Sequence, residues 1–199
     1  FYVSKSNEYS FKLLSSWPKW EKNFLNLIGE KYCGKSHLIN IFLKKFKGLK
    51  IDSKSITNDS IKKIKLYENI ILEDLNKNID EKLLYSLLNI VDLENKYIIV
   101  TSNIPIVDIE FSLNDLKSRT KNFILQNIEK PDDNLIFALI LKNLSDRQIS
   151  IDKKLIEFII KRIHRSYSKI FDFIYKLDEL SLKKKKPINL KIIKEVLGE

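Results

Sequence analysis

The chain has 199 residues, 44% of them hydrophobic, with four glycines, one cysteine and a formal net charge of +10. That length suits one compact domain, or one domain with a small satellite. The lone Cys33 excludes an internal disulfide framework and points to a reducing cytoplasm. No apolar run reaches the ~18 residues of a membrane span and no signal-peptide pattern opens the chain, so the expectation is a cytoplasmic protein without a membrane partner.

In chain order, residues 9–17 read as a short helix ahead of Pro18, with Trp17 and Trp20 as packing anchors. Phe24-Leu25-Asn26-Leu27-Ile28 is a short apolar run that predicts a buried strand ending at Gly29. The next stretch, Gly29-Glu30-Lys31-Tyr32-Cys33-Gly34-Lys35-Ser36, matches G-x-x-x-x-G-K-[ST], the Walker A pattern. A helix beginning in the loop and running to Phe46 completes the setting, with His37 packing or capping within it. Strand, loop and helix are what a phosphate cradle needs. Glycines let backbone N–H groups turn toward the β-phosphate, the lysine supplies charge to the β- and γ-phosphates, and the serine hydroxyl ligates Mg²⁺. The helix N-terminus adds its partial positive charge. An ordinary strand–helix turn is the alternative. Tyr32 stands where many such loops place a third glycine, and a positive φ there carries a steric cost. Cys33 reads as a small residue tolerated in the loop, the alternative being a redox-sensitive thiol beside Lys31 and Lys35.

A short strand is predicted near 49–51, a longer one over 67–72 and a helix over 80–94, with Leu83, Leu84, Leu87, Leu88 and Val91 on one face. A buried strand over 97–101, a short helix over 114–120 and a last strand over 123–125 follow. Alternating strands and helices imply a parallel sheet covered on both faces. After Pro131 the character changes: 132–145, 152–164, 167–182 and 189–197 all read as amphipathic helices, with Phe171, Phe173 and Tyr175 as core. The predicted organisation is an α/β core over 1–130 and a small all-helical lid over 131–199. Lys183-Lys184-Lys185-Lys186 reads as a solvated helix end before Pro187.

Three further segments carry chemistry. Ile70-Ile71-Leu72-Glu73-Asp74 is an apolar strand ending in two carboxylates, the Walker B arrangement: one carboxylate holds the Mg²⁺ shell and the other orients or deprotonates the attacking water. Thr101-Ser102-Asn103 closes the next strand where ligands of open α/β sheets bind, and could hydrogen-bond the γ-phosphate or the water; loop polarity before Pro105 is the alternative. Arg119 is the first of only four arginines among 36 basic residues, the others being Arg147, Arg162 and Arg165. Without further context it reads as a plain surface arginine; the alternative is a guanidinium that stabilises a phosphoryl-transfer transition state. Abundant Lys, Ile and Asn match the bias of an AT-rich genome, so the charge alone does not predict DNA binding.

These segments, in this order and followed by a helical lid, resemble the AAA+ ATPases of the DnaA/Hda branch over nearly the whole chain. Phe1-Tyr2-Val3-Ser4-Lys5-Ser6-Asn7 resembles the opening segment that lies near the adenine, and Gly34-Lys35-Ser36-His37-Leu38 the G-K-[ST]-H-L of the branch. Leu72-Glu73-Asp74 stands at its Walker B, Thr101-Ser102-Asn103 at its sensor 1 and Leu116-Lys117-Ser118-Arg119 at its L-x-S-R box. The resemblance implies ADP or ATP with Mg²⁺ as ligands. Tyr2, Val3 and residues 29–37 would hold the nucleotide, Ser36 and Glu73 the metal. Glu73, Asp74 and Asn103 are the expected catalytic groups, with Arg119 as an arginine finger acting on a neighbour's nucleotide. Glu73 replaces the more usual aspartate, and the sensor 2 arginine falls at Ser168, with Arg165 one helical turn earlier as a substitute.

A chain that stops after the lid resembles the regulator type, most like the HdaA form of alphaproteobacteria, rather than an initiator with a helix-turn-helix domain. The resemblance implies binding of DnaA and of the polymerase sliding clamp, with weak or no ATP hydrolysis of its own. The clamp-binding peptide of the family lies at the extreme N-terminus, and none is seen from Phe1 onward. A DnaA/DnaC-like ATPase that acts on DNA or loads a helicase, and a degenerate P-loop interaction module, stay open. Contact with DNA is expected to be indirect at most, and a homodimer is left open.

Overall fold

Short runs of leucine and isoleucine supply the strands, because branched apolar side chains suit a sheet buried on both faces. The computed structural model describes all 199 residues, Phe1–Glu199. In chain order the first unit has α1 (Glu8–Ser15), β1 (Phe24–Ile28), α2 (Lys35–Lys45), β2 (Gly48–Asp52), α3 (Asn58–Ile64), β3 (Asn69–Leu75), α4 (Glu81–Leu93), β4 (Tyr97–Ser102), α5 (Asn114–Thr120) and β5 (Ile124–Asn127). All strand pairs are parallel, in the order β2-β3-β4-β1-β5.

Alternation divides the buried strand residues between two faces. Phe24, Ile70, Leu72, Ile98 and Val100 share one core with Leu84, Leu87, Leu88 and Val91 of α4 and Leu116 of α5. Leu25, Leu27, Ile71 and Ile99 fall at the alternate positions and are also buried, as are Leu38, Ile39 and Phe42 of α2. Trp17 and Trp20 form an aromatic cluster with Phe42, Phe46 and Tyr97; the Trp17–Phe46 centroids are 4.6 Å apart. Gly48 is required by close approach, since a Cβ there would sit 2.8 Å from the Asn69 carbonyl oxygen on the neighbouring strand.

The second unit comprises residues 2–7, 31–33 and 129–199. Its helices are α6 (Asp133–Ser145), α7 (Lys153–Ile160), α8 (Tyr167–Lys184) and α9 (Leu190–Leu197). Ile136, Ile140, Leu144, Ile156, Ile159, Ile170, Ile174, Leu177 and Ile193 form its dry core. No helix of either unit is long and apolar enough to cross a membrane.

Several boundaries differ from the expectations. Strand β3 begins at Asn69 rather than 67, because the Leu66 and Tyr67 amides still close a turn onto Lys63 and Ile64. It runs on to Leu75, so the two carboxylates lie within the strand. Strand β5 covers 124–127 rather than 123–125: Phe123 packs edge-on against Phe24, and the ladder continues through Gln126 and Asn127. Helix α3 falls in a stretch to which the sequence assigns no element, since only Ile61 and Ile64 give it an apolar stripe. Helix α7 stops at Ile160 rather than 164, and Ser166 takes an extended conformation ahead of α8. Phe173 is buried as expected, but Tyr175 is 61% exposed, because successive core positions of α8 fall on the Ile170–Ile174–Leu177 stripe.

Asp132 caps α6. Its Oδ1 accepts from the Leu135 amide at 2.8 Å, and its Oδ2 from the Ser6 amide and hydroxyl, each at 3.3 Å. Partial burial is the largest influence and raises the carboxyl, but hydrogen bonds from the Leu135 amide, the Ser4 hydroxyl and Ser6 together outweigh it and hold it below its ordinary value. A depressed folded pKa adds stability above the unfolded carboxyl value, and that stability is lost as pH falls through the folded value. Asp132→Ala is therefore expected to lower unfolding free energy by ~1 kcal/mol at neutral pH. In urea titrations the loss should vanish in strong acid; an equal loss there would contradict the cap.

Candidate functional site

The carboxyl ends of β1, β3 and β4 place three polar segments on one rim of the sheet. In an open α/β sheet this rim is where ligands bind. Beyond β1, Gly34 has φ 100°, open to glycine and hostile to a side chain, and α2 begins at Lys35. The buried Lys35 ammonium donates to the Gly29 carbonyl, to the Glu30 carbonyl at 3.1 Å and to Asn103 Oδ1 at 3.1 Å. One lysine thus joins the loop after β1 to the residue that follows β4. Ser36 and His37 are exposed on the first turn of α2, and the Phe1 and His37 ring centroids are 5.4 Å apart.

Lys31, Tyr32 and Cys33 group with the second unit. Tyr32 has φ 70°, a left-handed conformation that costs a bulky residue ~1–2 kcal/mol. Its ring lies 5.3 Å from Phe171 and beneath the Lys31 ammonium, contacts that offset the strain by about the same amount. Cys33 is buried. Tyr2 and Val3 are exposed, and the Tyr2 carbonyl accepts from the Asn7 side chain at 3.0 Å.

At the end of β3 the ladder shifts register between Leu72 and Leu75. Asp74 sits in this bulge at φ 55°, which Asp tolerates better than most residues. Its amide donates to Thr101 Oγ1 at 3.0 Å and its carbonyl accepts from Ser53 at 2.8 Å, so the bulge is pinned from both neighbouring segments. Asp74 is exposed. Glu73 is nearly buried: Oε2 pairs with Lys50 Nζ of β2 at 2.6 Å, while Oε1 is buried without a hydrogen-bond partner. An unpartnered buried carboxylate oxygen fits a hard divalent cation, which takes oxygen ligands and keeps several waters. No group of three or more His, Cys, Asp and Glu gathers as a metal cluster, so a cation here would rely on phosphate oxygens and water for most of its ligands. The rim can therefore hold an anion at Lys35 and a hard cation at Glu73.

Asn26 escapes sequence reasoning because it hides in an apolar run. Fully buried in β1, it donates to the Val100 carbonyl at 3.1 Å and Ser102 Oγ at 2.8 Å, and its Oδ1 accepts from the Ile106 amide at 2.8 Å. These bonds fix the exit of β4, and with it Asn103. Asn26→Ala is expected to destabilise the protein by ~2–3 kcal/mol, since buried partners lose their bonds. Chemical denaturation measures this; a change below ~0.5 kcal/mol would overturn the role.

Arg119 lies on α5, away from the rim residues just described in the hydrogen-bond network. Its guanidinium pairs with Asp92 of α4 at 3.1 Å and lies 5.4 Å from the Tyr85 ring centroid. Glu81 orders the approach to α5 by accepting from the Ser112 amide at 2.7 Å and the Leu113 amide at 2.8 Å. Those backbone bonds, Ser112 first, lower the Glu81 carboxyl below its ordinary value.

Ser168 stands in the first turn of α8, its hydroxyl 2.9 Å from that of Ser166. Arg165 is not one helical turn earlier on that helix, as expected from the sequence. It lies in the connection before α8 and pairs with Asp133 at 2.7 Å. Helix α7 ends at Ile160 and α8 begins only at Tyr167, so Arg165 lies between the two helices.

A five-stranded parallel sheet with a Walker A loop after β1, carboxylates on β3 and a following helical unit defines a AAA+ module. Residues 132–197 match the family model described as "Hda, lid domain". The chromosomal replication initiator protein DnaA of Buchnera aphidicola subsp. Cinara cedri is 25% identical over 225 aligned positions, covering 100% of this chain and 52% of that protein. The chain thus spans about half the length of the curated relatives it matches. Among solved structures, domain III of Thermotoga maritima DnaA aligns with a TM-score of 0.75 at 16% identity, covering 100% of this chain and 93% of that one. AMPPCP-bound DnaA from Aquifex aeolicus aligns at 0.70 with 19% identity, over 93% and 66%. At these identities the solved structures show a shared fold. Together, the lid match over residues 132–197 and the sequence matches support a AAA+ protein of the DnaA/Hda branch.

Proposed function

We propose that this chain is a nucleotide-binding regulator of chromosomal replication initiation that promotes ATP hydrolysis on DnaA together with the sliding clamp. The observation that carries the proposal is the Hda-type lid joined to a core that presents Arg119 on α5. ADP or ATP would sit with its phosphates at Gly29–Ser36, exchanging the bonds that Lys35 makes to loop carbonyls for bonds to phosphate oxygens. When bound, Mg²⁺ would neutralise phosphate charge, with Ser36 and Glu73 as its protein ligands.

Asn103 holds Lys35 from the next strand, so it can report the state of the phosphate site. Asp74, exposed on its pinned bulge, is the candidate to orient a water. A regulator needs little turnover of its own, and the crowding of the loop by Tyr32 suits a nucleotide-holding switch. Arg119 would complete the active site of bound DnaA, because a permanently charged planar guanidinium stabilises the charge that develops on transferring phosphate.

The test is a DnaA ATP-hydrolysis assay to which this protein, clamp and DNA are added in turn. Stimulation that requires this protein is the expected result; unchanged hydrolysis with all components present would sink the regulator reading. The second reading, an ATPase acting on DNA or loading a helicase, is favoured by the net charge of +10. Tight, steeply salt-dependent DNA binding by this protein alone would select it.

A further inference from the structure

We propose that Lys50 stands in for part of the divalent cation's charge at Glu73, so that this protein holds its nucleotide with little dependence on Mg²⁺. The inference rests on the nucleotide-binding reading of the Walker A loop. Lys50 and Asp52 occupy one side of the edge strand β2, opposite Ile71 and Glu73 of β3. The lysine arches over that register step to bring Nζ within 2.6 Å of Glu73 Oε2. The Glu73 side chain is only 12% exposed, so the ammonium neutralises it where water screens poorly.

The other carboxylates nearby do not compensate. Asp74 follows Glu73 but is turned to solvent by its left-handed backbone, held there by Thr101 and Ser53. Asp52 is exposed and caps the following turn through the Lys54 amide. A dication arriving at Glu73 therefore meets one free oxygen, Oε1, and a fixed positive charge on the other. Like charges at one carboxylate oppose each other, and Lys35 already brings a second ammonium to the same rim. Lys50 acts on the phosphates through Glu73 and is a positioning residue.

The experiment is equilibrium binding of a fluorescent ADP to the whole protein, in saturating Mg²⁺ and in EDTA. The natural protein should bind with Kd values that agree within ~3-fold, whereas Lys50→Met should bind at least ~10-fold more tightly with Mg²⁺ than without it. Lys50→Arg keeps the charge and should behave as the natural protein does; it also controls for a loss of packing. Strong Mg²⁺ dependence in the natural protein, or a Lys50→Met variant that binds ADP yet ignores Mg²⁺, would overturn the role of Lys50. Failure of the natural protein to bind ADP in either buffer is a separate result, and overturns the nucleotide reading itself.

Discussion

Lys35→Ala is expected to weaken ADP binding by at least about a hundredfold. Two charge-assisted hydrogen bonds from an ammonium to phosphate oxygens are together worth ~3 kcal/mol or more, and each 1.4 kcal/mol is a factor of ten. The buried setting of Lys35 strengthens the effect, because the phosphates lose their counter-ion where solvent replaces it poorly. In the free protein the same ammonium ties the Gly29 and Glu30 carbonyls to Asn103, so alanine also unties the loop. Calorimetric titration with ADP measures the first effect. A thermal melt separates it from the second, and Lys35→Met keeps the aliphatic stem as a control. Unchanged ADP affinity in a folded Lys35→Ala protein would remove the phosphate-cradle assignment.

Arg119→Ala should act on the opposite property: ADP affinity within ~2-fold of the natural protein, and DnaA hydrolysis stimulation reduced by about a thousandfold or to background, the scale on which arginine fingers act. Arg119 is tied to α4 through Asp92 and Tyr85, so it must leave them to reach a partner. An exposed ion pair of this kind is worth ~0.2–1 kcal/mol, small beside a guanidinium–phosphate contact. Asp92→Ala is thus a mild change and Arg119→Ala a severe one. Equal stimulation by Arg119→Ala and the natural protein would show that another group acts in trans.

The sequence made legible what is local. The loop motif, the apolar runs of β1, β3 and β4, and the stripe of α4 each lie within a dozen residues, and their periodicity survives whatever packs around them. Helix α5 was legible too, over Asn114–Thr120. What stayed hidden depends on residues brought together across the sheet. Asn26 looks like an interruption in an apolar run until β4 supplies its partners. Lys50 looks like a surface lysine until β2 pairs with β3. The bulge at Asp74 needs Thr101 and Ser53, and the tether on Arg119 needs Asp92. Helix α3 is the local miss, and its signal was present: Thr57 caps it by accepting from the Ser60 amide at 3.2 Å.

The strand order carries a consequence for how the chain assembles. Strand β1 comes first in the sheet's sequence, yet its neighbours are β4, which pairs Ile98 with Phe24, and β5, which pairs Ile124 with Leu25. During synthesis β1 must wait, unpaired, until both have emerged, and such distant pairings slow folding. The loop that follows β1 gains its rigid base only when the last strand docks. Ligand capture at that loop would then mark a finished core, and truncations before Asn127 should fail as a whole rather than leave a smaller binding module.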